Sequence, residues 1–171
     1  MGALREYIIP LRSLQSGTHQ FNWSVGSEFL KQFEGSIITD GQFNVKMQLD
    51  NRDDVSVILI HFTGSYASNC DRCLADIEIP IDKSFTIYVK NGTEESEDPE
   101  LIFLHPEDHE LNMAPIVYDY LILSLPLIQA LDCENMENPP CNNDVLDRIQ
   151  HEEGLHSDNS VWESLKNLNT N

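Results

Sequence analysis

The stretch QFNVKMQL, residues 42–49, alternates without interruption: Phe43, Val45, Met47 and Leu49 fall on one side of an extended chain, Asn44, Lys46 and Gln48 on the other. A period of two is the period of a β-strand, and a strand written this way belongs to a sheet with one buried face and one wet face. The turn signal DNRDD follows, and then VSVILIHFTGSY, 55–66, which is apolar enough for a central strand. Gly64 inside it marks a bulge or a close approach of another backbone. Alternation resumes in LADIEIPIDKSFTIYV at Ile77, Ile79 and Ile81 and again at Phe85, Ile87 and Val89. Three such runs in succession predict an antiparallel meander.

Upstream, REYIIPLRSL and THQFNWSV read as shorter strands, with Pro10 placing the first at an edge or bending it. GSEFLKQF reads as one helical turn. Downstream, NGTEESEDPE holds no apolar residue and reads as a solvated loop, and LIFLHPEDHELN as a short strand. Apolar residues three and four apart at Ile116, Val117, Tyr120, Leu121 and Leu125 predict a buried helix that ends before Pro126. From Gln129 to Ser157 the chain is polar, with helical spacing only in DVLDRIQ. SVWESLKNL closes it with a Ser160/Glu163 capping box and an apolar stripe of Trp162, Leu165 and Leu168. The fold class expected is α+β: an antiparallel meander or partly open, barrel-like sheet over about residues 4–90, one buried helix after it, and short C-terminal helices. The 171 residues suit one domain, 1–128, followed by a polar, partly flexible segment, 129–171, with a short terminal helix.

Charge narrows the function classes. Twenty-nine acidic residues face ten basic ones, a formal net charge of −19. A phosphate backbone repels such a chain unless its few cations gather on one face, and these are scattered from Arg5 to Lys166. A basic protein partner fits better, since an acidic surface speeds that encounter; solubility is the plainer use of the same charge. No apolar run approaches the roughly 18 residues of a membrane span, and Arg5, Glu6 and Arg12 interrupt the N-terminal apolar stretch where a secretory signal needs continuity. The expected location is the cytoplasm.

Chemistry is sparse. No phosphate-binding glycine loop, no G-x-S-x-G elbow and no H-E-x-x-H occurs, so no catalytic residue is nominated. His105, Asp108 and His109 sit in what reads as a loop, and His61 alternates within a strand. The one constellation with ligand spacing is Cys70-Asp71-Arg72-Cys73, placed where one strand run ends and the next begins. Two intervening residues let both sulfurs reach one tetrahedral zinc at about 2.3 Å. Cys133 and Cys141, with seven residues between them, supply the other two ligands of a candidate zinc site and would tie the polar segment to the sheet. A redox pair would normally sit at a helix N-terminus, and a disulfide would need an oxidising compartment. Reduced thiols in a hairpin turn, with Asn69 and Asp71 as turn formers, account for the same residues without a metal.

Three motifs taken in order, CDRCL, LILSLP and VWESLKNL, resemble the YceD family, the large ribosomal RNA subunit accumulation proteins, over about Leu4 to Leu168. Cys70, Arg72 and Cys73 match its C-x-R-C; Leu123, Leu125 and Pro126 match its L-x-L-P helix end; Trp162, Leu165 and Leu168 match its terminal pattern. Asn159, Ser160 and Val161 stand where the family commonly has Pro-Arg before the tryptophan, and only Cys133 and Cys141 stand where many relatives carry a further C-x-x-C. The resemblance implies a role in accumulation or processing of 23S ribosomal RNA and no catalytic residues. Joined to the charge, it points to a binding factor that grips a basic ribosomal protein or maturation factor of the large subunit, meeting rRNA directly or through that protein. Arg72, Trp162, Leu165 and Leu168 are the expected contact residues, and a metal-dependent enzyme acting on RNA, or a zinc-stabilised domain without activity, is the alternative.

Overall fold

The computed structural model describes residues 4–94, 96–133 and 136–155. Alternation in sequence becomes alternation in burial along β3 (Gly41–Asn51), where Phe43, Val45, Met47 and Leu49 are buried and the residues between them exposed. Its antiparallel partner β4 (Val55–Asn69) is set so that Val45 faces Phe62, Met47 faces Ile60 and Leu49 faces Ile58. On the other side β2 (Gly17–Val25) brings Trp23 opposite Val45 and Val25 opposite Phe43. The rungs Trp23–Val45–Phe62 and Phe21–Met47–Ile60 therefore put apolar side chains from three strands on the same face, the cross-strand packing that stabilises a sheet.

Five strands form this sheet in the order β2-β3-β4-β5-β6, with β5 at Asp76–Asn91 and β6 at Leu101–Leu104. The sheet is open, not closed into a barrel: among the described residues β2 and β6 are its edges and do not pair with each other. The first four strands run as the antiparallel meander. β6 instead lies parallel to β5, from Tyr88 opposite Leu101 to Asn91 opposite Leu104. The acidic loop makes that return, anchored by the Tyr88 amide donating to the Glu100 carbonyl at 2.7 Å and the Gly92 amide to Leu104 at 3.0 Å.

REYIIPLRSL is not the strand its composition suggests. Only Ile8–Ile9 (β1) is extended, between 3-10 turns at Arg5–Tyr7 and Leu11–Ser13, and it pairs antiparallel with β7 (Leu111–Asn112). Pro10 lacks the amide proton that a longer ladder would use. Tyr7 is buried against Trp23 and Phe29, ring centroids 5.1 and 4.9 Å away, and Phe29 lies on the single helical turn α1 (Ser27–Leu30). Helix α2 (Met113–Ser124) starts where the Asn112 side chain accepts from the Ala114 amide at 3.1 Å. It stops because the residue before Pro126 is driven out of the helical region; Leu125 is extended. Tyr120 of α2 packs edge-on against Phe85 of β5, which packs on Phe62 of β4.

The chain divides into two compact units, Met1–Ala67 with Glu78–Leu127, and Ser68–Ile77 with Ile128–Asn171. The first holds the sheet core and α1 and α2. The second holds the turn joining β4 to β5 and α3 (Asn143–Leu155), which covers the helical spacing of DVLDRIQ and runs five residues past it. Among its described residues the buried apolar side chains are Cys70, Cys73 and Ile77. Trp162, Leu165 and Leu168 lie outside the described residues.

Gly64 fulfils the expectation of a close backbone approach. It faces Phe43 across the ladder with φ +153°, and a Cβ there would lie 2.1 Å from the Gln42 carbonyl oxygen. Gly17 also has a positive φ, +129°, but a Cβ there meets nothing. Gly64→Ala should cost about 3 kcal/mol or more in urea unfolding, against about 1 kcal/mol for Gly17→Ala, the difference being the collision with the neighbouring strand.

Burial first, and the Glu6 charge second, push the Tyr7 phenol up to about 12. The unit holds the neutral phenol, so the stability it contributes is complete below the ordinary value of 10.0 and is lost as pH rises toward about 12. Thermal melts from pH 9 upward should show a shallower decline for Tyr7→Phe than for wild type.

Candidate functional site

The turn between β4 and β5 is built before its thiols are considered. The Cys70 amide donates to the Ala75 carbonyl at 2.8 Å, closing the base, and the Leu74 amide donates to the Cys70 carbonyl at 2.9 Å, closing the loop of Asp71, Arg72 and Cys73. The Asn69 amide side chain bridges to the Asp76 carboxylate at 2.7 Å across the same base. To complete so tight a reversal the residue after the second cysteine turns left-handed: Leu74 has φ +57°, the one positive φ among described residues that are not glycine. That conformation costs an ordinary side chain about 1–2 kcal/mol, and Leu74 gains little in return, being 64% exposed. Leu74→Gly should therefore raise the urea-unfolding free energy by about 0.5–1 kcal/mol, part of the relief being offset by glycine's larger backbone entropy.

A second segment of the same unit is clamped onto this turn. The Asp71 amide donates to the Gln129 carbonyl at 2.8 Å, and the Gln129 amide returns a 2.6 Å bond to the Asp71 carboxylate. The Ser68 hydroxyl adds a short bond to the Gln129 side chain. From there the chain leads through Cys133, whose amide donates to Leu131 at 2.9 Å, to Cys141, which lies two residues before α3.

All four cysteines of the sequence arrive here, and all four are free thiols. Cys70 and Cys73 are buried; Cys133 and Cys141 are half-buried. Cys73 has Cys70 and Cys141 as neighbours, and Cys141 has Cys133 and Cys73. Backbone amides, that of Asn142 first and that of Ala75 second, hold the Cys73 thiol below the ordinary range, with Cys70 and Cys141 donating as well. Cys141 is pushed up to about 11, first by its bond to Cys133 and then by desolvation. No group of three or more His, Cys, Asp or Glu side chains among the described residues is set to hold a metal ion.

Arg72 is exposed on the turn between the two buried thiols. Leu123, exposed, and Leu125, half-buried, flank Ser124 where α2 gives way to Pro126. His61 donates or accepts at 2.8 Å with Asp82 and is an ordinary cross-strand pair on the sheet. His105 and Asp108 belong to a loop closed by the Asp108 amide on the His105 carbonyl at 2.9 Å. Sequence reading missed the Asp71–Gln129 clamp and the amides of Ala75 and Asn142. None of these has a side-chain signature, because the groups at work are mostly backbone.

The family model of the large ribosomal RNA subunit accumulation proteins matches residues 58–169, about two thirds of the chain. The chain belongs to the YceD family. The matched stretch starts within β4 and takes in the cysteine turn, α2 and α3. No curated protein and no solved structure matches this chain. The YceD family is named for a cellular outcome, the accumulation of the large-subunit RNA, and not for a reaction.

Proposed function

We propose that this YceD-family chain is a non-catalytic binding factor that supports accumulation or processing of 23S ribosomal RNA during large-subunit biogenesis, acting in the cytoplasm mainly through protein contacts. The observation that carries the reading is the family match. The net charge of −19 supplies the mechanism: such a chain draws basic proteins and repels bare phosphate, and ribosomal proteins awaiting assembly are basic because they bind RNA. Among the described residues no helix is long and apolar enough to cross a membrane.

Arg72 has a specific place in this reading. It is exposed on a turn whose backbone is held at both ends, so its guanidinium is offered to a partner from a fixed point of the chain. Trp162, Leu165 and Leu168 supply an apolar stripe at helical spacing for the same partner.

Affinity purification of the tagged chain at moderate salt, followed by mass spectrometry and RNA sequencing, should recover a basic large-subunit protein or 23S precursor. Arg72→Ala should reduce that recovery severalfold while leaving the melting temperature within a degree or two. Recovery of neither partner by the wild-type chain overturns the reading.

A further inference from the structure

We propose that the cleft bounded by the Arg5–Tyr7 turn, the end of β2 and the start of α1 receives an arginine or lysine side chain of the basic protein partner. The inference rests on the reading of this chain as a binding factor for a basic protein, and it gives that partner a place to engage.

The cleft has a volume of about 490 Å3 and lies wholly within the unit that holds the sheet. Glu6 and Glu28 stand in its lining beside Tyr7 and Phe29, and no lysine, arginine or histidine does. Both glutamates are exposed, and neither carboxylate has a hydrogen-bond or ion-pair partner among the described residues. The bonds they make are through the backbone: the Glu6 carbonyl accepts from the Trp23 indole at 3.0 Å and the Glu28 carbonyl from the Gln32 side chain at 3.3 Å. Asp40 adds a third negative charge nearby, since the Ser27 hydroxyl, also in the lining, donates to it at 3.2 Å. A second cleft, of about 460 Å3, mixes Arg12 and Arg52 with Asp53 and Asp54 and so has no preference of sign.

Negative charge alone marks many faces of a chain at −19. What distinguishes this cleft is Tyr7. It lines the cleft while only 1% exposed, its ring packed on Trp23 and Phe29, yet its hydroxyl has no hydrogen-bond partner among the described residues. Buried polar groups are normally paired, so an unpaired hydroxyl at a cleft wall is an acceptor open to a ligand's N–H. Burial first and the Glu6 charge second keep that phenol protonated, which puts the hydroxyl and the Glu6 carboxylate within reach of each other's field. An ammonium or guanidinium group supplies what both lack, N–H donors together with positive charge, and its aliphatic stem has Phe29 to lie against. Phosphate and carboxylate ligands meet repulsion here. A divalent cation does not fit either, since no three carboxylates or imidazoles among the described residues converge to hold one.

The nitrogen-labelled full chain, titrated at neutral pH and low salt with the blocked tripeptides Gly-Arg-Gly, Gly-Lys-Gly and Gly-citrulline-Gly, tests the site by amide chemical shifts. The amides of Tyr7, Ser24, Gly26, Ser27 and Gln42 should move with the two cationic peptides and stay in place with the neutral one. The Glu6→Gln, Glu28→Gln double variant should weaken binding about three- to tenfold, the worth of two exposed ion pairs. Tyr7→Phe, which keeps the ring and removes the hydroxyl, should weaken it about two- to tenfold. Glu94→Gln, Glu97→Gln removes the same charge from the acidic loop and should bind as wild type does. Shifts spread evenly over the acidic surface, equal shifts with the citrulline peptide, or a Glu6, Glu28 variant that binds no worse than the Glu94, Glu97 variant each overturns the proposal. Affinity purification separates this outcome from the ribosomal reading. A basic large-subunit protein recovered equally by wild type and by the Glu6, Glu28 variant overturns the cleft and leaves the reading standing; specific binding of the cationic peptides with no partner recovered supports the cleft and overturns the reading.

Discussion

The pairing register of β3 with β4 is the constraint on which the rest of the sheet depends. Because side chains alternate, a slip of one residue would carry Phe43, Val45, Met47 and Leu49 to the wet face and bring Lys46 and its neighbours into the core. Gly64 helps to lock this register. It is the residue opposite Phe43, and the Gln42 backbone comes too close to Gly64 for any side chain to replace it. β2 inherits its alignment from β3, and the packing of Phe62 on Phe85 and of Phe85 on Tyr120 links the same face to β5 and α2.

The continuation of β4 carries the candidate site. β4 runs into the turn at Cys70 and β5 leaves it at Asp76, so a paired hairpin fixes where the two buried thiols begin and end. The turn leaves Arg72 exposed while burying Cys70 and Cys73 on either side of it.

Much of this was legible because strand and helix periods are written directly in the side chains. The alternation of β3, the apolar run of β4, the isoleucines of β5 and the three-four spacing before Pro126 each became the element expected. The N-terminal strand failed for a backbone reason, the missing proton of Pro10, which allowed two extended residues where ten had strand-like composition. The parallel course of β6 was not readable, since a period of two says nothing about direction. Leu74 was equally silent: leucine prefers other conformations, and only the closure of the turn forces it left-handed.

By itself the sequence determined the α+β class, the order of the main elements, the acidic character that favours a basic partner, and the C-x-R-C and L-x-L-P signatures of the YceD family. All of these are properties of side-chain type and spacing along one dimension. Only the tertiary structure decided that the sheet stays open, that β6 lies parallel to β5, and that Gln129 is clamped onto the turn at Asp71. Those outcomes depend on which backbone groups pair over long separations, and backbone groups are the same at nearly every position.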